Sequence, residues 1–159
     1  MGTSLHLFRL KSIINSSFIH PFNDSLTGLY TKEYFRECID KFILEHKDER
    51  SALVVVDVDN FKVVNENLGT AFGDEVLRSI AKALNSCLAP NDFVGRIGGD
   101  EFVLLFENKP ISDVEVQIKK MNEKLYSLNG ITMSYGCCEV DFSNEKPFEE
   151  AYKNADKLM

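Results

Sequence analysis

The order of apolar and polar positions along the chain predicts alternating helices and strands. A helical apolar stripe follows Thr31, which can cap its N-terminus. The run from Ser51 to Val56 is continuously apolar, as a central strand covered on both faces should be. Helical spacing returns from Phe72 to Leu88 and from Ile111 to Leu128, so two further helices are expected.

The remaining segments predict a hairpin, a further strand and a last helix. Asp92 to Ile97 and Phe102 to Glu107 are short apolar runs separated by a glycine turn, which is hairpin spacing. Ile131 to Val140 predicts another strand, and Pro147 opens a helix. This order predicts an α/β (α+β) fold, in which helices flank a central mixed or antiparallel sheet in a ferredoxin-like or palm arrangement.

The first residues are expected to lie apart from the domain, with 1–22 as a lead-in and 23–159 as the domain. Apolar residues between Leu7 and Phe18 approximate helical spacing, and Pro21 would end such a helix. Two interpretations stay open, a packing or frayed tail and the remnant of a signalling helix. No run of about 18 apolar residues occurs, so no membrane span is expected.

The composition of the chain limits the number of domains and the kinds of ligand that are expected. The chain has 159 residues, 44% of them hydrophobic, which suits one domain with a sizeable core. A net charge of −7 argues against nucleic-acid binding, which needs a basic face. The four cysteines include no CxxC pair, so they predict neither a zinc site nor a disulfide framework and favour a reducing, cytoplasmic compartment.

Polar residues with metal-binding chemistry follow the apolar strand, in the run Asp57-Val58-Asp59-Asn60-Phe61-Lys62. Groups at the exit of a strand face the crevice where α/β proteins bind ligands. Carboxylates suit Mg²⁺, which prefers hard oxygen ligands. A solvated turn after a buried strand explains the same residues, so the two acids alone leave metal binding open.

A second group lies at the hairpin tip, Gly98-Gly99-Asp100-Glu101. The glycines let a ligand approach the backbone, and two acids directly after them exceed what a simple turn needs. An ordinary exposed loop is the alternative. A strand end and a hairpin tip in one sheet can nevertheless bring Asp57 and Asp100 to one metal pair, as phosphoryl transfer requires.

A third pair, Asn65 and Asp74, is linked through Gly69 and Gly73. A carboxylate can accept hydrogen bonds from the N1–H and exocyclic amine of guanine, an edge that adenine lacks. Helix capping accounts for Asp74 as well, because acids are favoured in a first helical turn. From spacing alone, capping is the stronger interpretation.

Six stretches of the chain, in order, resemble the motifs of GGDEF domains, the diguanylate cyclases of bacterial signal transduction. Together they cover Asp24 to Met159, and a chance match of all six is improbable. They are Asp24–Leu29, Val56–Glu66, Gly69–Leu77, the signature Arg96-Ile97-Gly98-Gly99-Asp100-Glu101-Phe102, Thr132–Gly136 and Ala155–Met159.

The resemblance implies that two GTP molecules are condensed to cyclic di-GMP and pyrophosphate, with Mg²⁺ or Mn²⁺. It also implies a homodimer of domains and an upstream sensor, so that the chain would be the cytoplasmic part of a larger protein. The alternatives are a non-catalytic GGDEF module that binds GTP and regulates a partner domain, and a cyclase that uses another nucleotide. The implied residues are Asp100, Glu101 and Lys62 for catalysis; Asp57, the carbonyl of Val58 and Asp100 for the metal; and Phe61, Asn65, Asp74, Gly98 and Gly99 for GTP.

Three departures from the family pattern carry expectations of their own. Thr70 replaces a usual histidine, and Ala89 stands where members with product inhibition carry an arginine, three residues before Asp92. We therefore expect weak product inhibition. The sequence ends at Met159, ahead of the Lys and Arg that grip phosphate in the family, so a C-terminally truncated domain is expected.

Overall fold

The computed structural model describes residues 22–46 and 50–159. The interpretations of residues 1–22 therefore lie outside the described residues, except at Phe22, and stay predictions. Within the described residues the strands are β1 (Tyr30–Thr31), β2 (Ser51–Val58), β3 (Phe93–Arg96), β4 (Glu101–Glu107) and β5 (Met133–Glu139). The helices are α1 (Lys32–Glu45), α2 (Phe61–Leu68), α3 (Thr70–Ser86), α4 (Ile111–Asn129) and α5 (Pro147–Leu158).

The strands form one mixed sheet of five, in the order β1-β3-β4-β2-β5. The β1–β3 pair is parallel, whereas β3–β4, β4–β2 and β2–β5 are antiparallel. The predicted hairpin is thus confirmed, as is a sheet flanked by helices. Central strand β2 has a neighbour on each side, and its exit lies beside both the β3–β4 tip and the start of β5.

Alternation along β2 divides the core between the two faces of the sheet. Ala52, Val54 and Val56 pack with residues of α3 and α4, and Leu53 and Val55 pack with residues of α1 and α5. Side chains of successive strand residues point to opposite faces, so both faces of a continuously apolar strand are covered. This arrangement confirms the expectation for Ser51 to Val56.

Helix α2 was not predicted, and the chain between β2 and the second predicted helix is helical rather than irregular. The helix has eight residues, none of them buried, and the β-branched pair Val63-Val64 lowers its helix propensity. Phe61 and Val64 pack against the core from this helix, but a run of eight residues is too short for its apolar spacing to stand out in the sequence. Helix α3 also starts at Thr70, before the predicted Phe72, and β2 continues two residues past Val56, to Val58.

Smaller expectations can also be compared with the structure. The Thr31 side chain caps α1 by accepting a hydrogen bond from the Tyr34 amide, as predicted. The four cysteines are free thiols, three of them buried. In the described ranges, no helix has both the length and the apolar character needed to cross a bilayer.

Candidate active site

The exit of β2 is joined to the tip of the β3–β4 hairpin through the main chain. Asp57 lies opposite Glu101 in the β2–β4 register, and the Val58 amide donates to the carbonyl oxygen of Asp100 at 3.1 Å. The two predicted acids, Asp57 and Asp100, are thereby brought together. Because the link uses backbone atoms, it does not depend on the side chain at position 100.

The Asp57 carboxyl is held in a place that disfavours its ionised form. Burial, followed by the negative charges of Asp100 and Glu101, raises the pKa of Asp57 to about 6. Its Oδ1 atom is buried and has no hydrogen-bond partner among the described residues. Two neighbouring carboxylates repel each other, so a proton or a cation between them stabilises the site.

These residues fit a magnesium ion. In residues 22–46 and 50–159, no group of three or more His, Cys, Asp or Glu side chains is placed to hold a metal. Mg²⁺ usually takes only one or two protein carboxylates and completes its shell with water and substrate phosphate. Asp57, Asp100 and the backbone carbonyl of Val58, the predicted third ligand, supply such a set. The unpartnered Oδ1 of Asp57 is consistent with a cation as its partner.

A stability measurement tests the electrostatics of Asp57. The raised pKa means that the folded state binds a proton more tightly than the unfolded state does, so metal-free stability falls as pH rises from about 4 to about 6. Asp57→Asn removes this fall in stability, because asparagine does not ionise. With chelator at about pH 7, we expect the variant to be more stable than the wild type by about 1–2 kcal/mol, with the gain fading toward about pH 4.

The measurement is chemical unfolding at several pH values, with Asp40→Asn, a change at an exposed carboxylate on α1, as the control. Saturating Mg²⁺ should then stabilise the wild type and leave Asp57→Asn unchanged. A difference between wild type and variant that is the same at every pH contradicts the assignment.

The hairpin tip is fixed by a side chain that the sequence analysis did not single out. Arg96 donates to the Gly99 carbonyl from Nε at 3.1 Å and from Nη2 at 2.6 Å. Its Nη1 pairs with Asp24, 72 residues earlier, at 3.2 and 3.1 Å. Burial opposes ionisation of Asp24, but hydrogen bonds from Thr27 and Arg96 lower its pKa overall. The only sequence signal for this contact was that both residues fall within family motifs.

Glu101, the fourth residue of the signature, is held by a side chain of helix α5. The Tyr152 hydroxyl, on α5, donates to Oε1 of Glu101. Burial, together with the hydrogen bond to Glu101, raises the pKa of Tyr152, so the hydroxyl remains a donor. At the tip, a Cβ on Gly98 would touch Glu101 at 3.4 Å, whereas one on Gly99 would meet nothing within 4 Å. Glycine at 99 therefore leaves open space beside the acids.

The two residues predicted to recognise guanine lie on adjacent helices. Asn65 is on α2 and Asp74 is in the second turn of α3, and both are half-buried. Asp74 is thus beyond the first turn of its helix, and the capping interpretation was wrong. A Cβ on Gly73 would lie 1.8 Å from Oδ1 of Asn65, so glycine is required there for Asn65 to take this position. That Oδ1 is buried without a hydrogen-bond partner among the described residues. It is an acceptor suited to an amide or amine donor.

The predicted phosphate-binding residues begin α2. Phe61 packs against the core and Lys62 is 88% exposed, 3.8 Å from Glu66. An exposed pair one turn apart contributes little to stability, so the ammonium group can turn to another anion. The first amides of a helix have no intrahelical partner and can bind phosphate.

Asp92, the acid retained ahead of the signature, has a structural role in the fold. It is only 3% exposed. One carboxylate oxygen accepts from the Ala89 amide at 2.8 Å and the other from the Glu107 amide at 2.9 Å. These bonds close the turn before β3 and tie it to the end of β4. The expectation of weak product inhibition stays a prediction.

Comparison with known proteins identifies the class of protein that this fold and this site define. The sequence model of the family described as "Diguanylate cyclase, GGDEF domain" matches residues 22–159. The chain therefore belongs to the GGDEF family, as the motifs indicated.

Individual relatives agree with this assignment. Diguanylate cyclase VdcA of Vibrio cholerae is 33% identical over 149 residues, covering 87% of this chain and 43% of VdcA. Cyclic di-GMP phosphodiesterase PdeR of Escherichia coli is 36% identical over 102 residues, covering 64% of this chain and 15% of PdeR. The chain thus spans less than half the length of these relatives.

Solved structures confirm the fold. The GGDEF domain of DgcB from Caulobacter crescentus, in complex with c-di-GMP, matches with a TM-score of 0.80 and 25% identity. The match covers 88% of this chain and 86% of the DgcB chain. The sheet order and helical layers described above are therefore those of a GGDEF domain, a palm-like fold.

Proposed function

We propose that this chain is a diguanylate cyclase domain that condenses two GTP molecules into cyclic di-GMP and two pyrophosphates. The observation that carries the proposal is the main-chain link that sets Asp57 beside Asp100 at the glycine tip, with Oδ1 of Asp57 buried and unpartnered among the described residues. An acid pair of this kind suits a cation bound to a triphosphate.

Each half-reaction joins the 3′-oxygen of one GTP to the α-phosphorus of the other. The bond from that phosphorus to the pyrophosphate breaks, and the 3′-hydroxyl loses its proton. A metal ion bound by Asp57, Asp100 and the Val58 carbonyl would polarise the phosphate oxygens and offset the charge of the leaving group. Lys62 and the Phe61 amide would hold the terminal phosphates, and Gly98 and Gly99 leave room for the nucleotide.

Glu101 would act as the general base that accepts the proton of the attacking 3′-hydroxyl. Tyr152 donates to its Oε1, which fixes the carboxylate, and its Oε2 would accept the proton. A positioned carboxylate that accepts such a proton contributes typically about 10²–10⁴-fold to rate. Its place opposite Asp57 in the β2–β4 register supports this role, because Asp57 is a proposed metal ligand.

The reaction requires two domains to meet, because each carries one set of guanine-recognising residues. We propose that the active form is a homodimer and that a sensor segment elsewhere in a longer protein controls the encounter through effective concentration. The free thiols and the GTP substrate fit a cytoplasmic site of action.

The direct test is incubation with GTP and Mg²⁺, followed by chromatography for cyclic di-GMP and an assay for pyrophosphate. Protein concentration should be varied, because output per domain ought to rise with dimer formation. Formation of both products from GTP, and not from ATP, supports the proposal. A folded, GTP-bound protein that yields neither product at any concentration contradicts it.

The match to PdeR favours a second candidate, since that relative is named as a phosphodiesterase rather than a cyclase. In this alternative, the domain binds GTP without turnover and regulates a partner domain. The same incubation separates the two, because a non-catalytic module retains GTP binding and releases no pyrophosphate.

A substitution at Asp74 tests base recognition. We expect Asp74→Ala to weaken GTP binding by about tenfold or more, since a hydrogen bond to a charged group contributes roughly 1.5–3 kcal/mol. ATP binding, which never used this carboxylate, should change little. Calorimetry with each nucleotide and Mg²⁺ measures the difference.

The control is Glu75→Ala, one position along α3, where the side chain is exposed and pairs with Arg78. It should leave the preference for GTP intact. Equal loss of GTP and ATP affinity in Asp74→Ala would mean that the carboxylate supports the helix instead of contacting the base.

A further inference from the structure

The second acid of the strand exit, Asp59, makes contacts quite different from those of Asp57. Its Oδ2 accepts a hydrogen bond from the Thr132 hydroxyl at 2.6 Å, and its Oδ1 accepts one from the Ser134 hydroxyl at 2.5 Å. Its amide donates to the Thr132 carbonyl at 3.0 Å. One residue is thus tied three times to a segment more than 70 residues away.

The Thr132 and Ser134 side chains are themselves held in place. Met133, which lies between them, exchanges two hydrogen bonds with the side chain of Asn122 on α4, at 2.8 and 2.9 Å. The start of edge strand β5 is therefore fixed by α4 on one side and by β2 on the other. Its two hydroxyls present a preformed pair of donors to one carboxylate.

The hydrogen bonds of Asp59 also restrain the residues that follow it, at the start of α2. Asn60 has φ of 55°, in the left-handed region, and its side chain makes no capping hydrogen bond to α2. No residue of α2 is buried. Phe61 and Val64 are only partly buried against the core, so the contacts of Asp59 add a second restraint, on the turn that leads into Phe61 and Lys62.

The same contacts argue against metal ligation by Asp59. Each of its oxygens already accepts a short hydrogen bond from a hydroxyl, whereas Oδ1 of Asp57 has no partner among the described residues. A cation at Asp59 would have to compete with both donors. The two acids are only two residues apart, but Asp57 is free to bind a cation whereas Asp59 is used for hydrogen bonds within the fold.

We propose that Asp59 is a positioning residue that acts through Thr132 and Ser134 to set the phosphate-binding start of α2, and that it does not ligate the metal. The statement that α2 binds phosphate rests on the proposed function. The hydrogen bonds of Asp59 do not depend on turnover, so their effect on α2 can be measured in a protein that makes no product.

The test compares Asp59→Asn, Asp57→Asn and the double variant Thr132→Val/Ser134→Ala, with Ser79→Ala on α3 as a control for loss of a hydroxyl. Hydrogen exchange of the α2 amides, titration with Mn²⁺ alone and GTP affinity are the measurements. The double variant should speed exchange in α2 and weaken GTP binding by about fivefold to tenfold, since net hydrogen-bond contributions are near that size. Mn²⁺ affinity should stay within about twofold in Asp59→Asn and fall at least about tenfold in Asp57→Asn.

Two results would overturn the assignment. The first is a loss of Mn²⁺ affinity in Asp59→Asn equal to that in Asp57→Asn. The second is unchanged α2 exchange and GTP affinity in the double variant. If the wild type makes no cyclic di-GMP, the proposed function fails, but exchange and Mn²⁺ binding still decide the role of Asp59.

Discussion

Asp100→Ala is expected to abolish Mg²⁺-dependent formation of cyclic di-GMP while leaving the fold intact. The negative charge of Asp100 helps to raise the pKa of Asp57, and loss of Asp100 removes one of the two side chains that would hold the metal. Removing one group that stabilises developing charge costs about 10²–10³-fold in turnover, and a ligand of the metal should cost at least as much. The fold survives because the link from Val58 to residue 100 uses the main-chain carbonyl.

Turnover, Mn²⁺ affinity and the unfolding midpoint should be measured on the same preparation. Glu123→Ala, a change at an exposed carboxylate of α4, serves as the matched control and should be active. Comparable turnover in folded Asp100→Ala would remove Asp100 from the metal site. Lost turnover accompanied by a large drop in stability would instead make the residue structural.

Gly136→Ala is expected to destabilise the whole domain. A Cβ on Gly136 would lie 1.9 Å from the carbonyl oxygen of Ala155 and 3.0 Å from the amide nitrogen of Met159. These are backbone atoms of α5 and of the residue just after it, so no side-chain rotation relieves the clash, and the helix has to move off the sheet. Overpacking costs typically about 1–3 kcal/mol, and a clash with backbone belongs at the upper end of that range.

Equilibrium denaturation measures the effect, with Gly99→Ala as the control because its added methyl meets no atom within 4 Å. The control should retain nearly full stability. Because α5 carries Tyr152, Gly136→Ala should also lower turnover beyond what unfolding explains. Equal stability of the two variants would show that α5 can shift at little cost.

Periodicity predicted most of the scaffold because most elements have a buried face. The apolar run at Ser51 and the stripe of α3 both report burial directly, and both were located to within a few residues. Helix α2 was missed because its core-facing side is short and only partly buried, with Phe61 and Val64 against the core and eight residues in all. Strand β1, with two residues, is too short to give any pattern.

Some residues of the site can be recognised from their neighbours in the sequence. Others can be recognised only from contacts with residues far away along the chain. Asp57 and Asp100 stood out because acids beside a buried strand or a glycine tip are conspicuous. Tyr152 did not, and Thr132 and Ser134 did so only as part of a family motif, because their partners lie 51 to 75 residues away in sequence. No spacing rule relates a hydroxyl to a carboxylate across that length of chain. The β2–β5 register and the packing of α5 on the sheet create these contacts.

The pairing of β2 with an antiparallel neighbour on each side also restricts the insertions that the domain can tolerate. A single residue added between Ser51 and Val56 would send Asp57 to the face covered by α3 and α4, because side-chain direction alternates along a strand. Two added residues would restore the face but displace the acid by about 7 Å along the strand. Exchanges among valine, isoleucine and leucine should be tolerated at these positions, whereas any change in the length of β2 should separate Asp57 from the hairpin tip.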